Sequence, residues 1–155
     1  MRIAKAVIVA LVSLILLGEN AMSADGLITT RSSFGPAETM KRFEADVRAK
    51  GMTVFAHIDH AAGADAVGMP LRPTDLLIFG TAKGGTPLMQ SVQTIGIDLP
   101  LKALVWQDEA GTTFLSYNDP AYLTRRHELG DSAKPVVEGM ASALKAIASK
   151  ATASP

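Results

Sequence analysis

The chain has 155 residues, of which 48% are hydrophobic and 19% charged, with 15 basic side chains facing 15 acidic ones and no cysteine. That length and balance leave room for one ordinary globular domain and exclude collagen-like and disordered chains. They also exclude a basic nucleic-acid binder, which needs a large positive field. Without cysteine there is no thiol catalysis, disulfide or Cys-x-x-Cys-His haem attachment.

The amino-terminal stretch reads as an address. Arg2 and Lys5 flank the start of an apolar run from Ala6 to Leu17 in which Ser13 is the one polar residue. At about 1.5 Å per residue, a helix of that run is too short for a hydrocarbon core of roughly 30 Å, but it suits a signal peptide. Ala21 and Ser23 satisfy the small-residue rule for cleavage after Ser23, with Ala24 as a neighbouring alternative. The expectation is a signal peptide over 1–23, a single mature domain over 24–155 with its core at about 27–150, and a bacterial periplasmic or secreted location. An uncleaved amphipathic anchor or a buried helix is the competing reading. No cysteine follows the run to carry a lipid, so no membrane attachment is expected after cleavage. Removing Arg2, Lys5 and Glu19 leaves 13 basic against 14 acidic side chains.

Leu27 to Ser32 is expected to form the first strand. Gly35 and Pro36 open a helix that Gly51 ends, with Met40, Phe43 and Val47 on one face. Met52 to Asp59 alternates as a strand, Val54, Ala56 and Ile58 facing one side and Thr53, Phe55, His57 and Asp59 the other. A short helix or loop over Ala61 to Val67 precedes a third strand, Leu76 to Thr81. Thr86 and Pro87 are expected to open a second helix bearing Leu88, Val92 and Ile95, stopped by Gly96. Leu101 to Asp108 and Thr112 to Asn118 form a hairpin around Glu109, Ala110 and Gly111. Helices follow over Tyr122 to Leu129 and Ala133 to Lys150, the latter striped by Val136, Met140, Leu144 and Ile147.

Hairpin-linked strands interrupted by helices read as an α+β two-layer sandwich, a mainly antiparallel sheet with helices on one face. Phe55, Phe79, Leu104, Trp106, Leu115 and Tyr117 supply more bulk than one face holds. The open face therefore needs a cover, and a homodimer is expected to provide it, unless segments 60–72 and 119–130 fold over it.

Three segments carry candidate chemistry. His57 and His60 flank Asp59, but residues three apart on a strand point to opposite faces, and no third ligand is spaced for zinc or copper, so no metal is expected. The Lys83-Gly84-Gly85-Thr86-Pro87 turn between strand and helix offers free N–H groups and a cation to a small anion; it is not a Walker loop, because the lysine precedes the glycines. Its plainer role is a turn capped by Thr86. Asn118, Asp119 and Pro120 suit a helix cap, yet together with Arg125, Arg126 and His127 they also compose a polar pocket.

The succession Ile58-Asp59-His60-Ala61-Ala62-Gly63-Ala64, Leu71-Arg72-Pro73-Thr74, Leu77-Ile78-Phe79-Gly80, Gly85-Thr86-Pro87-Leu88-Met89, Asp98-Leu99-Pro100-Leu101-Lys102 and Tyr117-Asn118-Asp119-Pro120 resembles the family called domain of unknown function 302, over about Thr30 to Leu129. The resemblance implies an α+β fold that tends to dimerise, without an established activity or agreed catalytic residues. His60, Arg72, Lys83, Thr86, Asn118 and Asp119 coincide with its polar motif positions; His57 does not. Thr81 and Ala82 stand where the resemblance leads one to expect asparagine and proline.

The leading expectation is an exported ligand-binding or accessory module without a cofactor. In it, His60, Arg72, Lys83 and Thr86 receive a small anionic or polar molecule, with Asn118, Asp119 and His127 at the border. The alternatives are a hydrolase-like enzyme using His60 or His127 as acid or base against Asp119, and a structural dimer that binds a partner through its apolar sheet face.

Overall fold

A computed structural model describes residues 24–154; the expected leader over 1–23 lies outside them. Five strands, β1 (Leu27–Arg31), β2 (Thr53–Asp59), β3 (Thr74–Gly80), β4 (Leu101–Gln107) and β5 (Thr113–Asn118), form one antiparallel sheet in the order β1-β5-β4-β3-β2. The helices are α1 (Pro36–Ala49), α2 (His60–Asp65), α3 (Ala82–Ser91), α4 (Pro120–Arg126) and α5 (Lys134–Thr152), with short 3-10 turns at Gln93–Ile97 and Asp131–Ala133. This is the α+β two-layer arrangement that the strand and helix pattern implies.

One sheet face and two helices make the core. Met40, Phe43 and Val47 of α1 and Leu144, Ile147 and Ala148 of α5 pack on Leu77, Phe79, Ala103, Val105, Leu115 and Tyr117. Phe43 and Phe79 are fully buried and meet edge to face, their ring centres 5.4 Å apart; such a pair contributes about 0.5–1.5 kcal/mol beyond burial. Lys150 pairs with Asp46 and its carbonyl accepts a hydrogen bond from Arg42, tying the end of α5 to α1. The 4-residue span from Ser32 to Gly35 is fixed by a buried pair, Ser32 Oγ to Thr39 Oγ1 at 2.7 Å.

The other face carries Leu76, Ile78, Leu104, Trp106 and Phe114, all half-buried. Trp106 stacks on Phe114 with centroids 4.9 Å apart and donates its indole N–H to Ser116 Oγ at 2.9 Å. α4 packs on α5, so the 119–130 segment stays with the helical layer and does not fold over this apolar face. Of the bulky residues expected to be divided between the faces, Phe79, Leu115 and Tyr117 enter the helix-covered core, while Leu104 and Trp106 lie on the open side.

Two local expectations are corrected. The β2 ladder slips between Val54 and Ala56, so Phe55 bulges out of the alternation. Val54 pairs with Phe79 and packs on the core, whereas Ala56 and Ile58 pair with Ile78 and Leu76 on the opposite face. A single inserted residue reverses every later side chain of a strand. α3 begins four residues before Thr86. Thr81, in extended backbone, accepts from Gly84 N–H at 3.0 Å and is the cap. Proline's preference for the first helical position misleads here, because Pro87 sits within the helix and Gly84 and Gly85 form its first turn. The helix ends at Ser91, which puts Val92 and Ile95 in and beside the following 3-10 turn.

Candidate functional site

The seven expected site residues fall at two ends of the sheet. His60 and Arg72 lie where β2 ends and β3 begins, as the Asp59 to Asp75 register shows. Lys83, Thr86, Asn118 and Asp119 follow the far ends of β3 and β5, beside the starts of β2, β4 and β1. β3 has 7 residues, which at about 3.3 Å per residue puts roughly 20 Å between the two sets. The single pocket drawn through all of them does not form within one chain.

Three of these side chains, Arg72, Asp119 and His127, have structural work. Asp59 caps α2, accepting from Ala62 N–H at 2.8 Å, and His60 is exposed at the first turn. Arg72 donates its Nε–H to Gln107 O at 3.1 Å, fastening the loop before β3 to the end of β4. Asp119 caps α4 by accepting from Ala121 N–H at 2.9 Å. Asn118, Lys83 and Thr86 are exposed. Burial, and secondarily the Asp119 charge, pushes the Tyr117 phenol above its ordinary 10.0.

His127 faces Asp98, not Asp119 as the hydrolase reading requires. Its Nε2 lies 2.5 Å from Asp98 Oδ2, with both side chains nearly buried, and its Nδ1 lies 3.5 Å from Thr94 Oγ1. Arg126 adds a second contact to Asp98 at 3.3 Å. This clasp joins the end of α4 to the segment that leads through Leu99 and the cis Leu99–Pro100 bond into β4. His57 and His60 do not converge: His57 pairs with Asp75 at 3.5 Å in a groove of about 420 Å³ beside Lys41, Glu44 and Arg48 of α1. Among the described residues, no three His, Asp or Glu side chains are placed to hold a metal ion.

The cavity between α3 and α5 was not legible in the polar motifs. A cleft of about 670 Å³ opens where the Gly80 end of the sheet meets α3 and α5. Met52, Phe55, Met89, Leu99, Val136, Met140, Ala143 and Leu144 line it, with Gly84 and Gly85 on the α3 side and Lys50 at the end of α1. Of the expected residues none is in this lining, although the Gly84-Gly85 pair of the same turn is. Gly85 lies against two other lining residues: a β-carbon there would stand in ordinary contact with Leu99 Cδ1 at 3.5 Å and Met89 Cε at 3.8 Å. The bulge residue Phe55 also lines the cleft and is 57% exposed. The available signal was the glycine pair followed by Met89 and Leu99-Pro100. The partners from β2 and α5 are too distant along the chain for a motif to show.

Among the described residues, no helix is long and apolar enough to cross a membrane. The solved structure of an uncharacterized conserved protein DUF302 from Bacillus stearothermophilus superposes with a TM-score of 0.74, at 21% identity, covering 83% of this chain and 99% of that one. Two curated proteins, each named Fluoride-specific ion channel FluC 1, from Brucella suis and Brucella abortus, are 47% identical over 115 residues, which is 74% of this chain. The chain spans less than half the length of these relatives, 45% and 43% respectively. The family model described as Domain of unknown function DUF302 matches residues 28–147, most of the chain, and the chain belongs to that family.

Proposed function

We propose that this domain is a binding module that takes a small organic molecule into the cleft between α3 and α5, and not an enzyme. The carrying observation is the cleft itself: about 670 Å³, lined mainly by apolar side chains from the sheet end, α3 and α5. That volume lies within the range of roughly 300–1,000 Å³ usual for small-molecule sites. Among the described lining residues Lys50 is the one titratable group, and the Thr81 hydroxyl accepts from Gly84 N–H. A lining without an activated nucleophile or an acid–base pair supports retention over turnover. Native mass spectrometry of protein purified from its own host tests the reading. A small molecule that accompanies the wild-type protein and is missing from a folded Ala143→Trp variant is expected. A bare protein that also gives no thermal shift with any of a broad panel of organic compounds contradicts it.

A second reading concerns partners. The Brucella relatives named as fluoride-specific ion channels are more than twice as long as the stretch they share with this chain. One polypeptide there holds both this kind of domain and a further segment, which supports an accessory role for this chain beside a membrane ion channel. Deleting the gene is then expected to lower fluoride tolerance; unchanged growth across a fluoride series contradicts it. Export through a cleaved leader and homodimerisation through the open sheet face complete the proposal. The apolar run from Ala6 to Leu17 supports the first, and the half-buried Leu76, Ile78, Leu104, Trp106 and Phe114 support the second.

A further inference from the structure

Resting on the cleft as the binding site, we infer that its ligand is a hydrophobic monoanion: a flexible hydrocarbon chain ended by one carboxylate. Three observations carry the assignment. The wall includes three methionines from three separate parts of the chain: Met52 in the α1–β2 connection, Met89 in α3 and Met140 in α5. Unbranched thioether side chains adapt to a chain of variable conformation and are poor at fixing a rigid polar one. The charge in the lining is one-sided: Lys50 is its sole titratable residue among the described ones, and no carboxylate faces it. A long aliphatic stem lets such an ammonium stay at the wet rim while its methylenes continue the apolar wall. The third observation is the β2 bulge. It interrupts the ladder to leave Phe55 at the cleft with 57% of its surface exposed, an arrangement that leaves apolar surface in water until something apolar covers it.

A polar or multiply charged ligand fits none of these, because the lining would strip its water without returning hydrogen bonds. The hydrocarbon end therefore lies against Met89, Leu99 and Met140, and the carboxylate lies at the Lys50 rim.

Titration calorimetry with saturated carboxylates from hexanoate to dodecanoate, each below its aggregation concentration, tests the assignment alongside the primary alcohols of equal length. Affinity is expected to rise about fourfold per added methylene until the cleft fills, the increment that burying one methylene gives. The carboxylate should bind roughly two- to fivefold tighter than the matching alcohol, and Lys50→Gln should erase that preference without changing the chain-length slope. Lys50 is exposed, so its replacement leaves the fold intact, and a thermal melt verifies this. Affinity independent of chain length overturns the hydrocarbon assignment; a preference for carboxylate that survives Lys50→Gln, or none in the wild type, overturns the anionic one. The cleft reading has its own readout. If the carboxylates fail while a co-purifying molecule is still lost in Ala143→Trp, the ligand class is wrong and the site stands. If both fail, the site falls with it.

Discussion

Replacing His127 by alanine removes one half of the clasp that holds the entrance to β4. The imidazole lies 2.5 Å from an Asp98 carboxylate that is only 11% exposed. A hydrogen bond to a charged group of this kind contributes about 1.5–3 kcal/mol. Arg126 stays at 3.3 Å from the other carboxylate oxygen, but its own side chain is half in water, so it compensates weakly. The expected loss is about 2 kcal/mol, which for a domain of this size lowers the melting temperature by roughly 6–10 °C. Denaturant unfolding of the wild type, His127→Ala, Asp98→Asn and the double variant measures it. The double variant should be about 1–2 kcal/mol less destabilised than the sum of the single ones. Because Leu99 and Pro100 line the cleft directly after Asp98, both single variants should also weaken ligand binding. A loss under about 0.5 kcal/mol, or strict additivity, would show that the pair is incidental to the fold.

Other consequences are as direct. Phe43→Ala, which empties a fully buried position against Phe79, should cost about 3–5 kcal/mol in chemical denaturation, whereas a cost near 1 would mean that the two-layer core packs differently. Leu104→Arg on the open sheet face should leave a folded monomer where light scattering finds a wild-type dimer; equal masses for the two remove that face as the interface. The raised Tyr117 pKa has a defined sign: the unfolded chain releases the phenol proton first, so stability is complete below the unfolded value of 10.0 and declines as pH rises past it toward the folded value. Tyr117→Phe should flatten that decline in melts collected from pH 9 to 11, and an unchanged slope would assign it elsewhere.

Where sequence logic succeeded, the signal was local and periodic. The hairpin around Gly111, the apolar stripe Met40-Phe43-Val47 and the Asp119-Pro120 cap each occupy a few consecutive residues whose chemistry has one cheap solution, and the structure adopts it. It failed where one residue's local preference yielded to tertiary packing. Pro87 reads as a helix start, but Thr81 caps the helix earlier; Met52 to Asp59 reads as an unbroken alternation, but the β2–β3 pairing inserts Phe55 as a bulge. The polar residues drew attention to the strand ends because polar groups are rare enough to notice. Asp119 serves a cap and Arg72 and His127 fasten loops, the other four are exposed, and the cleft is instead made by methionines and glycines that look like ordinary core. The Asp98–His127 clasp joins groups 29 positions apart, which spacing alone cannot pair.

The claim that the cleft beside α3 is the site of ligand binding is tested most directly by amide chemical-shift mapping of the full chain titrated with decanoate. Shifts are expected at Met52 to Phe55, Gly84 to Met89, Leu99 to Leu101 and Val136 to Leu144, the segments that enclose it. Shifts gathered instead around His60 and Arg72, at the other end of β3, would place binding elsewhere and contradict the account.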